Sequence, residues 1–235
     1  MRYRLFGLIL PLALPTLAQA QKNACADIPK FFAHPPKIGE WAEIAWEKKG
    51  DEKGPDRMRM AAVGTERREG KQMYWLQMDM TDDKGKRSII QMLTPWDVTT
   101  LHGGEPAEVV MKMEGQPAMK MSGGMMKRSA AAQGDWREFC AKSTFVGEES
   151  VTVPAGTFKA RHYKGPDGDT WASLDAPVWH VVKMTTEGGK TMVLSSKGLG
   201  AKNEITETPV DMKAMMANPE AMKKMQEEMN KKNSQ

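Results

Sequence analysis

The chain has 235 residues, of which 40% are hydrophobic and 27% are charged, and its formal net charge is +4. This length suits one sizeable domain or two small halves that share a core. The net charge is small and its acidic and basic residues are interspersed, which argues against a nucleic-acid-binding protein.

The first twenty residues predict export from the cytoplasm. Arg2 and Arg4 precede an apolar run over residues 5–17, and Ala18 and Ala20 are small residues at the two positions that a signal peptidase reads. The run is interrupted by prolines and is too short to span a bilayer. We therefore expect cleavage after Ala20 and a soluble periplasmic protein.

Two cysteines, Cys25 and Cys140, belong to the exported part of the chain. Disulfides persist in an oxidising compartment, so we expect these two residues to form one. The bond would tie the mature N-terminus to the middle of the chain.

Short stretches between residues 38 and 207 alternate apolar and polar side chains with a period of two. Tyr74, Leu76 and Met78 are one example. Turn-forming residues separate these stretches at 82–85, 165–168 and 187–190. The pattern predicts antiparallel strands with one buried face. We expect a mostly β fold of the α+β class, with a single sheet domain over residues 21–207 and an internal connection at 122–133.

The chain changes character after Pro209, where we expect the sheet to end. Asn218 suits the N-cap of a helix and Pro219 its first position. Three methionines then fall on one helical face: Met222, Met225 and Met229. Residues 208–235 are therefore predicted to form a methionine-rich tail with a short amphipathic helix.

Several segments resemble exported bacterial proteins of no assigned function. The run 151–160, VTVPAGTFKA, is the clearest, and 170–173 and 177–184 follow the same pattern. These segments are similar to the lipoprotein-carrier (LolA-like) half-barrel group. The resemblance implies a strongly curved antiparallel sheet, or half-barrel, that wraps an apolar cavity partly closed by helices. The chain departs from the group at Trp179 and His180, where the cavity would change shape.

Methionine is several times more abundant than usual, with 21 residues. Four Met-x-Met pairs lie on predicted strands: Met58/Met60, Met78/Met80, Met111/Met113 and Met119/Met121. Flexible thioethers fill irregular apolar space and suit ligands of variable shape. The residues that we expect to line an apolar cavity are Met58, Met60, Tyr74, Leu76, Met78, Met80, Met111, Met113, Phe158, Trp171 and Trp179.

These patterns predict a non-catalytic carrier of an apolar ligand, a lipid or an acyl chain, that needs no cofactor. The sequence has no Gly-rich phosphate loop, Cys-x-x-Cys, His-Glu-x-x-His or Gly-x-Ser-x-Gly motif. Three alternatives stay open. The thioethers could bind Cu(I) or Ag(I), or they could be oxidised reversibly and so scavenge oxidants. In the third alternative the protein is an interaction module, and its C-terminal helix docks on a membrane or a protein. The residues of the Cu(I) alternative are Met58, Met60, Met78, Met80, Met111 and Met113.

Overall fold

The computed structural model describes residues 24–47, 57–82, 84–97, 106–122 and 140–218, together with 220, 223 and 227. The predicted signal peptide and the connection at 122–133 (apart from residue 122) lie outside these residues. The described strands form one large, curved, unclosed sheet, which confirms the predicted fold class. The strands are β1 (Trp41–Glu47), β2 (Arg57–Arg68), β3 (Lys71–Thr81), β4 (Arg87–Thr94), β5 (Glu108–Met113), β6 (Met119–Ser122), β7 (Thr144–Val153), β8 (Gly156–Gly165), β9 (Gly168–Ala172), β10 (Val181–Thr186), β11 (Thr191–Gly198) and β12 (Val210–Asp211). Short helices are α1 (Ile28–Phe31) and α2 (Met212–Met216), the described residues 140–142 are also helical, and a 3-10 turn spans Ala24–Ala26.

The order of the strands across the sheet is β12-β6-β5-β4-β3-β2-β1-β11-β10-β9-β8-β7. Most neighbours follow one another in the chain, as expected of hairpins. The predicted turns at 82–85, 165–168 and 187–190 join β3 to β4, β8 to β9 and β10 to β11. The antiparallel pairing of β1 with β11 joins the N-terminal and C-terminal strands into one sheet.

The sheet curls at the end that carries β7. This edge strand pairs with β8, yet it also lies against β10 and β11. The Ala155 amide donates to the Leu194 carbonyl across the curl, at 3.2 Å. The curl encloses a filled apolar core that includes Ala42, Val153, Phe158, Ala160, Val182 and Leu194.

The N-terminal segment is fastened to this half of the sheet. Cys25 and Cys140 form a disulfide, which confirms the prediction from the sequence. The buried Asp27 carboxylate accepts hydrogen bonds from Arg161 at 2.7 Å and from Lys30 at 2.9 Å. Burial alone would raise the pKa of Asp27, but these hydrogen bonds and the two positive charges outweigh it, so the pKa lies below its ordinary value. The carboxylate is therefore a charged anchor under ordinary conditions.

Residues 199–209, which we name the strap, cross one face of β3, β4 and β5. Ile205 of the strap is buried against Ile89 and Val110. The buried Gln91 amide donates to Asn203 of the strap at 2.6 Å and to Gln77 at 2.8 Å. The strap thus buries one face of this part of the sheet.

The sheet continues past Pro209, in contrast to the expectation that it ends there. The Val210 amide donates to the Ala118 carbonyl at 2.8 Å, and Val210 and Asp211 pair in parallel with β6. Proline lacks only its own donor, so the next residue is free to join an edge strand. Asp211 then caps α2. Asn218 accepts a hydrogen bond from the Glu220 amide at 3.2 Å, and the methionines of the predicted tail helix lie outside the described residues.

Candidate functional site

The register of the sheet places all four Met-x-Met pairs on one face. Alternate residues of a strand and directly opposed residues of antiparallel neighbours point to the same side. The opposed methionine pairs are Met58 with Met80, Met60 with Met78, and Met111 with Met119. Ile90 of β4 links them, because it lies opposite Met78 on one side and Met111 on the other.

One end of this face is a packed group that we name the methionine cluster. Its members are Met58, Met60, Met78, Met80 and Met192, packed with Ile44, Trp46, Val178 and Trp179. Met58 and Met60 are 8% and 2% exposed, whereas Met78 and Met80 are partly exposed. Five methionine side chains therefore pack together at a place that solvent reaches from the β3 side.

The other end, over β4, β5 and β6, is more open. We name it the open methionine face, and its members are Ile90, Met92, Met111, Met113, Met119 and Met121. All six are at least partly exposed. On the opposite side of the same strands, Leu93 and Val110 are 0% and 4% exposed. The strap thus buries one side of these strands. The other side presents the five methionines and Ile90 at least partly to solvent, around Val109, which lies on that side and is 0% exposed.

A loop covers the methionine cluster. Residues 173–180, the cover loop, connect β9 to β10 and place Val178 and Trp179 on the cluster. Val178 has φ 63° and His180 has φ 58°, a left-handed backbone that is rare for a β-branched residue. Val178 is nevertheless 1% exposed. Burial of its side chain holds the backbone in this conformation.

His180 fixes the end of the cover loop. Its ring lies 5.7 Å from that of Phe31 and 6.4 Å from that of Phe32. Burial lowers the pKa of His180, and the nearby backbone carbonyls of Ala176 and Ser173 offset this only in part. The imidazole is therefore neutral at neutral pH and acts as an aromatic spacer between the N-terminal segment and the loop.

Of the remaining predicted lining residues, Tyr74 and Leu76 lie on the same face of β3 as Met78, whereas Phe158 and Trp171 lie elsewhere. Phe158 is 3% exposed in the filled core of the curl. Trp171 stacks on His162 with ring centroids 4.3 Å apart, and the Lys183 ammonium lies 4.8 Å from its ring centre. Tyr74 lies beside Trp96. Leu76, on the same strand, is 2% exposed. The structure thus divides the predicted lining between the methionine residues and separate aromatic contacts.

A cleft of about 330 Å³ lies beside the N-terminal segment and is charged. Arg161 bonds to Asp27 at 2.7 Å and to Glu148 at 2.9 Å, and Lys159 bonds to Glu148 at 2.9 Å. These charged side chains pair with one another, and Phe31, Ala172 and Leu174 contribute apolar surface to the same cleft. Its lining includes Asp27, Lys30, Glu148, Lys159, Arg161 and Asp175.

The sequence pattern did not identify several residues of the methionine cluster and of the open methionine face. Ile90 and Met92 belong to the run RSIIQMLT, which is apolar on both sides and so carries no clear alternation. Met192 begins a run of three consecutive apolar residues that ends at Leu194. Val178 belongs to a loop, and only its contact with the cluster reveals its role.

In the part of the chain that the structure describes, no three or more His, Cys, Asp or Glu side chains are grouped so as to hold a metal ion. Within that same part, no helix has the length and apolar character needed to cross a bilayer.

Comparison with known proteins finds likeness only among solved structures. A Bacteroides fragilis protein described as exported and of YmcC-like fold is 12% identical, with a TM-score of 0.35 over 70% of this chain and 97% of its own. A Parabacteroides distasonis protein described as a lipoprotein is 13% identical, with a TM-score of 0.34 over 72% and 98%. MucB is 14% identical, with a TM-score of 0.30 over 76% of this chain and 59% of MucB.

No family model and no curated protein matches the chain. The TM-scores of the three structures are all below 0.5, so these likenesses carry no argument about ligand or activity. The resemblance of the sequence to the lipoprotein-carrier half-barrels stays a prediction.

Proposed function

We propose that this protein is exported to the periplasm and carries an apolar ligand, a lipid or an acyl chain, without catalysing a reaction. The observation that supports the proposal most directly is the open methionine face. Six apolar side chains of β4, β5 and β6 are at least partly exposed on it, and Met113 is 39% exposed. A contiguous apolar surface of this kind on a folded protein usually marks a binding site.

The dimensions of the face suit an extended hydrocarbon chain. Neighbouring strands lie about 4.8 Å apart, so the face is about 10 Å wide from β4 to β6, and the six residues of β5 make it about 20 Å long. A chain lying along these strands has one side covered by protein. At about half of the 0.8 kcal/mol that full burial of a methylene contributes, sixteen methylenes would give about 6 kcal/mol. This corresponds to reversible binding with a Kd of roughly tens of micromolar.

The chemistry of the face favours ligands of variable shape. Methionine has an unbranched side chain with three rotatable bonds, so it adapts its surface to a guest. The opposed pair Met111 and Met119 lies at the centre of the face. Ile90 lies beside it on β4. A bound chain would contact thioethers and an aliphatic side chain, and no ionisable group of this face would be desolvated.

The test is titration with N-phenyl-1-naphthylamine, an apolar dye that fluoresces when it leaves water. We expect wild-type protein to bind the dye and the M111Q/M119Q variant to bind it at least tenfold more weakly. Each glutamine keeps the length of methionine but places an amide against the dye, and about 1.4 kcal/mol corresponds to tenfold. The matched variant M111L/M119L keeps the face apolar and should bind as wild type does.

Two results would contradict the proposal. One is wild-type protein that leaves the dye fluorescence unchanged. The other is an equal response of the glutamine and leucine variants, which would place the dye away from this face. The variant Gln72→Glu is the control for the effect of added polarity. Gln72 is exposed and is separate from the open methionine face.

A further inference from the structure

We propose that the methionine cluster binds one soft monovalent cation of the Cu(I) and Ag(I) class through the thioethers of Met58, Met60, Met78 and Met80. This site differs from the open methionine face in position and in the chemistry that it uses. It lies on β2 and β3 beneath the cover loop, and it needs sulfur rather than apolar surface.

The register places the four methionines at the corners of a rectangle. Met58 opposes Met80 and Met60 opposes Met78 on neighbouring antiparallel strands. Opposed residues have α-carbons about 4.5–5.5 Å apart, and alternate residues of one strand are about 6.5–7 Å apart. Three flexible bonds separate each sulfur from its α-carbon, so the four thioethers can converge on one ion. Met192 packs against the same group as a fifth sulfur.

The residues next to these four methionines favour a soft ion of low charge. The residues opposite them on the neighbouring strands are Ala42, Ile44, Ser88 and Ile90. None of these side chains is ionisable. Arg59 and Asp79 alternate with the methionines and so point to the other face, where Asp79 is paired with Arg87. A divalent ion would lack a compensating charge here, whereas thioether sulfur is a preferred ligand of Cu(I).

The proposed site is reached by solvent on one side and is covered by the cover loop on the other. Met78 and Met80 are partly exposed, so a hydrated ion or a delivery protein can reach their sulfurs. Met58 and Met60 lie deeper, under Val178 and Trp179 of the cover loop. The indole of Trp179 therefore lies against the proposed site and serves as its natural fluorescent reporter, since heavy soft ions quench tryptophan.

The experiment titrates the full chain with Cu(I) in the presence of bathocuproine disulfonate as competing chelator, and separately with Ag(I). We expect one ion per chain for both metals, with quenching of tryptophan fluorescence, and no competition by Zn(II). The M58L/M80L variant should lose at least tenfold in affinity. The M111L/M119L variant is the matched control, because it removes an opposed pair from the other end of the same face and should bind as wild type does.

Equal loss in both leucine variants, or the absence of saturable binding at one ion per chain, would overturn the proposal. Leucine keeps the core apolar, and circular dichroism of each variant checks that it is folded. The M58L/M80L variant should still bind N-phenyl-1-naphthylamine. Failure of the metal site therefore leaves the carrier proposal standing, and failure of dye binding leaves the metal site standing.

Discussion

Removal of the disulfide is the perturbation whose cost the structure defines best. Cys25 and Cys140 are 115 residues apart in sequence. The entropy of closing a loop of this size in the unfolded chain corresponds to about 4.8 kcal/mol at 25 °C. We therefore expect the C25A/C140A variant to lose about 4–5 kcal/mol in the free energy of unfolding. For a domain of this size, this lowers Tm by roughly 10–20 °C.

The assay is urea unfolding followed by tryptophan fluorescence, which gives both the free energy and its dependence on denaturant, the m-value. Opening the loop expands the unfolded chain, so the m-value should increase in C25A/C140A. The control variant D27N loosens the same segment by weakening the contact with Arg161, at 2.7 Å, without opening a loop. It should cost about 2 kcal/mol, because Arg161 is partly exposed, and leave the m-value unchanged.

A loss below about 1 kcal/mol in C25A/C140A would refute this reasoning. It would mean that the unfolded chain stays compact without the bond, or that the N-terminal segment contributes little to the folded state. An unchanged m-value together with a large loss would assign the effect to packing of the buried Cys140 instead. Cys140 is 0% exposed and lies in the cluster of Phe31 and Tyr163.

Three further predictions concern stability. Gly168→Ala should cost more than about 3 kcal/mol by thermal unfolding, because a Cβ there lies 1.9 Å from the Thr185 carbonyl oxygen, whereas Gly85→Ala, with open space around it, should cost about 1 kcal/mol. Gln91→Leu should cost about 1–3 kcal/mol, because it removes the two hydrogen bonds that the buried amide donates, one to Gln77 and one to Asn203 of the strap. The free energy of unfolding should fall as pH drops below about 6.5, because the unfolded chain protonates His180 at its ordinary pKa and the folded chain does so only at a lower pH. This dependence on pH should disappear in His180→Phe. If it is unchanged in that variant, His180 is not its cause.

Much of the fold follows from local sequence patterns. Period-two alternation locates strands such as β3, and the turn residues at 82–85 and 165–168 locate hairpins, because both signals arise between neighbours in the chain. The disulfide is predictable because two cysteines in an exported chain leave one pairing. The order of strands also follows largely from hairpins, since sequential strands tend to pair.

Other features depend on contacts between distant residues. The pairing of β1 with β11 is long-range and has no local signature. The strap carries few apolar residues, so its role depends on Gln91 and Ile89, which lie more than a hundred residues before it. Val178 adopts a left-handed backbone that its residue type disfavours, and only burial against the methionine cluster compensates. Alternation along the chain groups Phe158 with the methionines as lining residues. In the structure the curl of the sheet places Phe158 in a separate apolar core.

Native mass spectrometry of protein isolated from the periplasm without detergent tests the carrier proposal most directly. We predict that wild-type protein and M111L/M119L retain an adduct with the mass of a lipid or fatty acid, and that M111Q/M119Q does not. Wild-type protein found only at the mass of the bare polypeptide, under conditions in which a known lipid-binding protein keeps its ligand, would contradict the account.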